Sequence, residues 1–247
     1  MNPGDGLVDQ RVRALTAGSD GHVRVGMVSG SVATVSGLSD IDGAQITSVG
    51  PAHGLVDDPI TTVAEDRDGN VWIGTDASGA LRITALGLVS YFEADGLRND
   101  FVPFLFEDDQ ERLIAVSASR FTINEFDGRR FVKTRFNVPP QVPDNGLFTV
   151  LRDHVGAWWL GTPAGLYRFP ATRGIPEVAR VAPDAHYAGY AALPGDELYP
   201  LFEDRSGDIW LIAPLPDQVR LVLWRRASDD FAQYGAAEGL RDVENAR

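Results

Sequence analysis

The feature that most constrains the fold is a short segment that recurs along the chain at a nearly constant interval. Its clearest copies are EDRDGNVWIGT at 65–75, RDHVGAWWLGT at 152–162 and EDRSGDIWLIA at 203–213. EDDQERLIAVS at 107–117 is a weaker copy, and AGSDGHVRVGM at 17–27 is the weakest. A period of roughly 45 residues predicts stacked supersecondary units, because each unit alone cannot bury its apolar face. Aligned on the central turn residue, the five copies centre on Gly21, Gly69, Glu111, Gly156 and Gly207.

Three further columns keep the same register around that turn. An acid stands three residues before it in four copies, at Asp66, Asp108, Asp153 and Asp204. Apolar residues stand nine and six residues before it. We expect these apolar columns to pack between neighbouring units. They are Val12, Ile60, Val102, Leu147 and Leu198, and Leu15, Val63, Leu105, Val150 and Leu201.

Each unit is predicted to be a four-stranded antiparallel sheet. In the second unit the strands fall at 60–65, 71–75, 80–84 and 89–93, separated by Asp-Gly and Ser-Gly turns. No segment has a sustained 3.6-residue apolar period, so helices should be few, and 170–196 is expected to hold an extended loop. Four short strands in about 45 residues are typical of a propeller blade.

The predicted fold class is therefore all-β, a β-propeller of four-stranded antiparallel blades with about five blades in 1–247. The predicted blades span 6–50, 51–93, 94–138, 139–190 and 191–238, and 239–247 would begin a further repeat or close a ring. Trp72, Trp159 and Trp210 occupy one column of the second strand and are predicted to lie in the core between blades. A buried Trp removes about 200 Å² from water, which is worth on the order of 4–5 kcal/mol.

Composition excludes several classes of partner and site. The formal net charge is −13, which disfavours nucleic acid and anionic membrane surfaces as partners. No run of 18 apolar residues occurs, and the first ten residues show no signal peptide, so the targeting segment of an exported protein would lie outside this sequence. The chain has no Cys, so disulfides and thiolate chemistry are excluded.

The segment GLVDDPITTVAEDRDGNVWIGTDASGALRI, 54–83, resembles the two-component regulator propeller repeat. Residues 142–169 keep the second half of that motif, 193–212 lack its Gly-Thr, and 96–121 replace the turn Gly and the Trp with Glu111 and Ile114. The resemblance implies a sensor region of bacterial signalling proteins such as hybrid histidine kinases. It also implies a periplasmic location, an output domain elsewhere in the parent protein, and five units cut from a larger array; a complete five-bladed ring is the alternative.

Catalytic, metal and cofactor motifs do not stand out from the sequence. The four His residues lie in separate loops without metal-ligand spacing, and the acids around Gly69 lack the full calcium loop. No Gly-x-Ser-x-Gly elbow or phosphate-binding Gly loop is present. We therefore expect no enzymatic activity, no metal and no cofactor in this chain.

Propeller topology predicts that the loops entering each first strand share one face with the loops joining the second and third strands. Ligand sites tend to lie where such loops converge. The expected ligand is a small molecule or oligosaccharide, with Tyr199 as a possible stacking platform. The alternatives are a protein–protein scaffold, a homodimer among them, and a propeller-fold lyase or glycosidase. The candidate residues on this face are Arg11, Asp57, Arg98, Asn99, Asn145 and Tyr199.

Overall fold

The computed structural model describes residues 11–29, 35–42, 45–51, 54–84, 86–108, 110–117, 120–143, 148–189, 195, 197–215 and 218–239. The chain divides into two compact units, which are described separately. Unit 1 comprises residues 1–118 and 122–134, and unit 2 comprises 119–121 and 135–247.

Unit 1 contains three four-stranded antiparallel sheets, in each of which neighbouring strands follow one another along the chain. The first sheet is β1 (Val12–Ala17), β2 (Val23–Ser29), β3 (Val35–Asp42) and β4 (Gln45–Val49), of which β3 and most of β4 are described in backbone only. The second is β5 (Ile60–Glu65), β6 (Val71–Thr75), β7 (Ala80–Thr84) and β8 (Gly87–Tyr91). The third is β9 (Phe104–Glu107), β10 (Leu113–Ser117), β11 (Thr122–Phe126) and β12 (Phe131–Arg135), whose last residue falls in unit 2.

Unit 2 contains two sheets of the same construction. The fourth sheet is β13 (Thr149–Arg152), β14 (Trp158–Thr162), β15 (Gly165–Phe169) and β16 (Ala185–Tyr187), with a short helix α1 (Ile175–Val178) before β16. The fifth sheet is β17 (Tyr199–Glu203), β18 (Ile209–Pro214), β19 (Val219–Arg225) and β20 (Asp230–Tyr234). The predicted class, an all-β propeller of four-stranded antiparallel blades, is confirmed.

Two local predictions need correction. The fourth strand of the second sheet is Gly87–Tyr91, earlier than the predicted 89–93, because Glu93–Asp95 forms a 3-10 turn that ends at Gly96 in the left-handed region. The loop expected over 170–196 contains helix α1, whose Ile175 and Val178 are both fully buried. Pro near its first turn is compatible with a helix start, because that position lacks an intrahelical acceptor for the N–H.

Sheets pack face to face through the tryptophan column. In unit 1, Trp72 is 0% exposed and meets Phe126 at 4.9 Å and Phe131 at 5.9 Å between ring centroids, both edge-on. In unit 2, Trp159 is also fully buried and lies 4.5 Å from the ring of Trp224. Each indole therefore fills the space between its own sheet and the next sheet along the chain, as predicted.

Trp210 departs from this prediction, because it is only partly buried. It stacks on Phe202 at 6.2 Å and lies 5.4 Å from Tyr234, both in its own sheet. The fifth sheet is the last one in unit 2, so no later sheet within the unit covers this indole.

Residues of the two apolar columns are likewise buried in some sheets and exposed in others. Ile60, Val102 and Leu198 are fully buried, and Val63, Leu105 and Val150 are at most 9% exposed. The prediction is wrong for three members and lies outside the described residues for Leu147. The exposed members are Val12 at 46%, Leu15 at 65% and Leu201 at 47%, which belong to the first sheet of unit 1 and the last sheet of unit 2.

The acidic column explains how a buried indole N–H is satisfied. The Nε1–H of Trp72 donates to Oδ2 of Asp66 at 2.8 Å, and Trp159 donates to Asp153 at 3.0 Å. The same Asp66 accepts the backbone N–H groups of Asp68 and Asn70 across the hairpin turn. One carboxylate thus shapes the turn and holds the indole that packs on the next sheet.

Glycine five residues after the turn allows the next sheet to approach closely. A Cβ on Gly74 would lie 2.3 Å from the carbonyl oxygen of Val102, and one on Gly161 would lie 2.3 Å from that of Leu198. In both cases the carbonyl belongs to the segment that enters the next sheet. The Gly of the Gly-Thr motif is therefore required by packing between sheets.

A glutamate at the end of the first strand links neighbouring hairpins. Glu107 accepts the backbone N–H of Arg67 at 2.7 Å, and Glu203 accepts that of His154 at 2.7 Å. Glu65 likewise accepts the N–H of Ser19 at 2.9 Å. The three donors stand at the same position of the repeat, two residues before the turn glycine, so the bond is a regular feature of these interfaces.

We expect Trp159→Ala to destabilise the protein by about 3–5 kcal/mol, because it opens a cavity between two sheets. Trp210→Ala is the matched control: it lies in the same unit and loses an equivalent 3.0 Å bond to an aspartate, so the difference between the variants reports packing alone. Urea unfolding followed by circular dichroism should show a clearly smaller loss for the control. Equal losses would contradict the assignment of Trp159 to the core between the sheets.

Candidate ligand-binding loops

Three loops of unit 1 are hydrogen-bonded to one another at one end of the second sheet. Before β5, Oδ2 of Asp58 accepts the N–H of Ala77 in the β6–β7 loop at 2.7 Å. On the other side of that loop, the N–H of Gly79 donates to the carbonyl of Asp100 at 2.8 Å, in the segment entering β9. The loops that enter first strands therefore share a face with the loop joining the second and third strands.

Thr75 fixes the shape of the central loop from inside. Its Oγ1 donates to the carbonyl of Gly79 at 2.9 Å and accepts the N–H of Ser78 at 2.9 Å, and the side chain is fully buried. Thr162 makes the same bonds in the fourth sheet, with Gly165 and Ala164. The threonine of the repeat motif is therefore a loop-shaping residue.

A buried amide holds the third loop against the third sheet. Asn124 is 0% exposed; its Oδ1 accepts the N–H of Arg98 at 3.0 Å. Its Nδ2 donates to the carbonyl of Ala115 at 2.8 Å and to Oγ of Ser117 at 2.9 Å. Because each of these bonds is made inside the protein, the network fixes the position of the loop residues above it.

The structure brings three of the predicted site residues to one group of loops and leaves the others apart. Asp57 is exposed beside Asp58, and Arg98 and Asn99 are half-buried in the segment entering β9. The β6–β7 loop is bonded to both segments and so brings them together. Arg11 is exposed at the start of the first sheet, Tyr199 opens β17 in unit 2, and Asn145 lies outside the described residues.

Asn99 carries a buried polar atom that is not satisfied. Its Oδ1 is inaccessible to solvent and accepts no hydrogen bond from any residue in the described part of the chain. The neighbouring Arg98 has its backbone fixed by Asn124 while its guanidinium is available at the half-buried surface. Two adjacent residues of a fixed loop therefore carry a half-buried cation and a buried acceptor without a donor.

Tyr199 is a neutral hydrogen-bonding group at physiological pH. Burial raises the pKa of its phenol to about 12, and the nearby Glu197 carboxylate, 3.4 Å from the hydroxyl, adds to the shift. A phenol with this pKa is a poor general base near neutrality. The side chain suits stacking and hydrogen bonding rather than proton transfer.

Sequence reasoning did not identify Asp58, Thr75, Ser117 and Asn124 as organisers of this face. Thr75 was detectable as part of the Gly-Thr motif. Asn124 was detectable only as a polar residue in the middle of strand β11, after Ile123. Asp58 and Asn124 bond to residues 19 and 26 positions away in the sequence, and the repeat spacing does not reveal such partners.

The acids around the repeat turn are used within the protein. Both oxygens of Asp66 accept hydrogen bonds from Asn70 Nδ2 at 2.9 Å, in addition to the bond from Trp72. Burial opposes ionisation of Asp204, but bonds from Trp210, Ser206 and Asp208 outweigh it and hold the pKa of that carboxyl below its ordinary value. In the described residues, no group of three or more acids and histidines is placed to hold a metal ion.

The repeat also matches a known family at sequence level. Residues 54–77 match the two component regulator propeller family. The resemblance predicted from 54–83 is confirmed there, and this matched segment contains Asp58, Asp66, Trp72 and Thr75, which shape the loop face and the core. No curated protein sequence matches the chain.

Solved structures with a similar fold come from sensors and from lyases. The extracellular domain of the hybrid two component system BT3049 from Bacteroides thetaiotaomicron superposes with a TM-score of 0.68 at 17% identity, covering 94% of this chain and 31% of that one. Virginiamycin B lyase from Staphylococcus aureus superposes with a TM-score of 0.65 at 14% identity, covering 92% and 70%. PorZ of the Porphyromonas gingivalis type-IX secretion system superposes with a TM-score of 0.65 at 14% identity, covering 92% of this chain and 34% of that one.

These likenesses establish the fold alone, because every identity is below 20%. The chain spans about a third of the length of the BT3049 extracellular domain. Within the described residues, no helix is long and apolar enough to cross a bilayer.

We expect Asp58→Ala to loosen the loop face, because it removes the partly buried bond from the Ala77 N–H, and a hydrogen bond to a charged group contributes about 1.5–3 kcal/mol. Hydrogen–deuterium exchange should then speed up in peptides covering 75–80 and 97–102. Asp57→Ala, one residue away and exposed, is the control and should leave exchange unchanged. If both variants protect these loops equally, Asp58 does not hold the face together.

The pKa of Tyr199 predicts a loss of stability at high pH. Below pH 10 the phenol keeps its proton in both folded and unfolded chains, whereas between about 10 and 12 only the folded protein keeps it. Its contribution is therefore present below pH 10 and is lost as pH rises through that window. Tyrosinate absorbance of wild type minus Tyr199→Phe should show a chromophore titrating near pH 12, and titration near 10 would refute the shift.

Proposed function

We propose that this chain is a ligand-recognising propeller module of an extracytoplasmic bacterial signalling protein and is not itself a catalyst. The match of 54–77 to the two component regulator propeller family supports this, as does the fold shared with the extracellular domain of a hybrid two component system. The signalling output would come from another domain of the parent protein, and the five sheets would be part of a larger propeller array.

The observation that carries the proposal is the loop segment entering β9. Its backbone is fixed by Asn124 on one side and by Gly79 on the other. On this fixed segment Arg98 carries a half-buried guanidinium, and the next residue, Asn99, has a buried amide oxygen without a donor. A preformed site with open hydrogen-bonding groups loses little entropy on binding, which is what recognition of a small polar ligand requires.

Hydroxyl-rich ligands fit these groups best. A sugar hydroxyl can accept from Arg98 and donate to the exposed Asp57 carboxylate across the β6–β7 loop. Rotation of the Asn99 amide toward the surface would add a further acceptor. The proposed ligand class is an oligosaccharide or another small polyhydroxylated molecule.

The geometry gives less support to a lyase. The likeness to virginiamycin B lyase is at 14% identity and concerns the fold. In this chain His154 pairs with Glu203, and His186 bonds the carbonyl of Ala164 at 2.9 Å. Both rings are committed to contacts that stabilise the sheets of unit 2.

A glycan array followed by calorimetry tests the proposal. We expect binding by the wild-type chain and a loss of roughly tenfold or more for Arg98→Ala with Asn99→Ala, since charged hydrogen bonds contribute about 1.5–3 kcal/mol each. Arg129→Ala, an exposed arginine in the β11–β12 turn, is the control and should bind like wild type. Absence of any bound glycan together with turnover of a substrate would overturn the proposal, and saturable binding to a protein partner alone would favour a scaffold.

A further inference from the structure

A second polar groove lies in unit 1 at the other end of the sheets, beside the first hairpin turns of the second and third sheets. Its volume is about 400 Å³, within the range of small-ligand pockets. Five carboxylates and two guanidinium groups line it, with Phe126 and Leu113 as its apolar wall. The loops proposed above join the opposite ends of these strands, so this groove is independent of that proposal.

Arg82 is the unusual residue of the groove. Its guanidinium lies 5.5 Å from the ring centroid of Trp72 and 5.9 Å from that of Phe126. Its Nε is buried and has no acceptor, and none of the carboxylates among the described residues forms an ion pair with it. The two aromatic rings hold the cation in place and leave its positive charge without a partner.

Glu107 is the complementary group. Its Oε2 accepts the N–H of Arg67 at 2.7 Å. Burial raises the pKa of this carboxyl; the Arg67 N–H opposes the shift, and the neighbouring carboxylates of Asp66 and Glu111 add to it. A positively charged group placed beside Glu107 would stabilise its ionised form.

Glu111, at this groove, replaces the glycine found at the turn of the other repeat copies. It has φ of 59° at the turn position where the other four copies have glycine, also with positive φ. A non-glycine residue in this region is strained by about 1 kcal/mol or more. Its carboxylate accepts a 2.6 Å bond from Nη1 of Arg67 at the rim of the groove, so the substitution adds a charge there.

We propose that this groove binds a free amino acid, with the ligand carboxylate on Arg82 and the ligand ammonium on Glu107. A carboxylate supplies the acceptor that the guanidinium lacks, and an ammonium compensates the half-buried acid. Because acids outnumber guanidinium groups five to two in the lining, basic amino acids bind more tightly than acidic ones.

Calorimetric titration with L-arginine, agmatine, N-acetyl-L-arginine and L-glutamate tests this assignment on the full chain. Agmatine lacks the carboxylate and N-acetylarginine lacks the ammonium, so each should bind roughly tenfold or more weakly than arginine. L-Glutamate should bind most weakly. No heat with millimolar arginine, or agmatine binding as tightly as arginine, would overturn the proposal.

Two variants locate the site. Arg82→Gln and Glu107→Gln should each weaken arginine binding about tenfold or more. Arg13→Gln, at an exposed position of the first sheet, and Glu93→Gln, on the loop side of the same unit, are the matched controls and should leave it unchanged. If Arg82→Gln unfolds, as circular dichroism would show, the comparison of arginine with agmatine still decides the question. Equal loss with a loop-side control would place the ligand elsewhere.

Discussion

An indole buried between two sheets must bring its N–H to an acceptor, and this requirement organises the rest of the structure. Trp72 and Trp159 are each covered by the following sheet, and each donates to an aspartate six residues earlier. The aspartate can reach the ring only because it also folds the intervening hairpin around its own oxygens. The turn, the second strand and the packing of the next sheet are therefore a single cooperative arrangement, which explains why the chain repeats all three together.

Packing between sheets also determines how rigid the loops are. The absence of a side chain at Gly74 lets the carbonyl of Val102 approach, and that segment then bonds to the β6–β7 loop through Gly79 and Asp100. The proposed recognition face is thus built from the same contacts that stabilise the core. Arg98, a residue of the proposed face, is positioned by a bond from its backbone N–H, so its side chain is not needed to hold the loop.

The repeat was sufficient to predict the first three strands of the second sheet and the burial of Trp72 and Trp159, because those depend on local pattern and on one neighbouring sheet. The predicted burial was wrong for Trp210 and Leu201. A repeat position predicts the same burial in every unit, whereas the actual burial depends on whether another sheet covers that face. The repeat predicted that loops share a face, but not Asn124, whose three partners come from strand β10 and from a loop distant in sequence. The contact between that loop and the strand is tertiary information that spacing does not contain.

Departures from the repeat are therefore more informative about function than the repeat itself. Residues that match the columns are explained by turns, indole bonds and close backbone approach. Glu111 is not, because glycine would relieve its backbone at no cost to the hairpin. Beside it, the cation of Arg82 stays unpaired although carboxylates surround it. Strain and an unsatisfied charge at one groove both lower the stability of the unliganded protein. Such costs are typical of functional sites, where a bound ligand supplies the missing interactions.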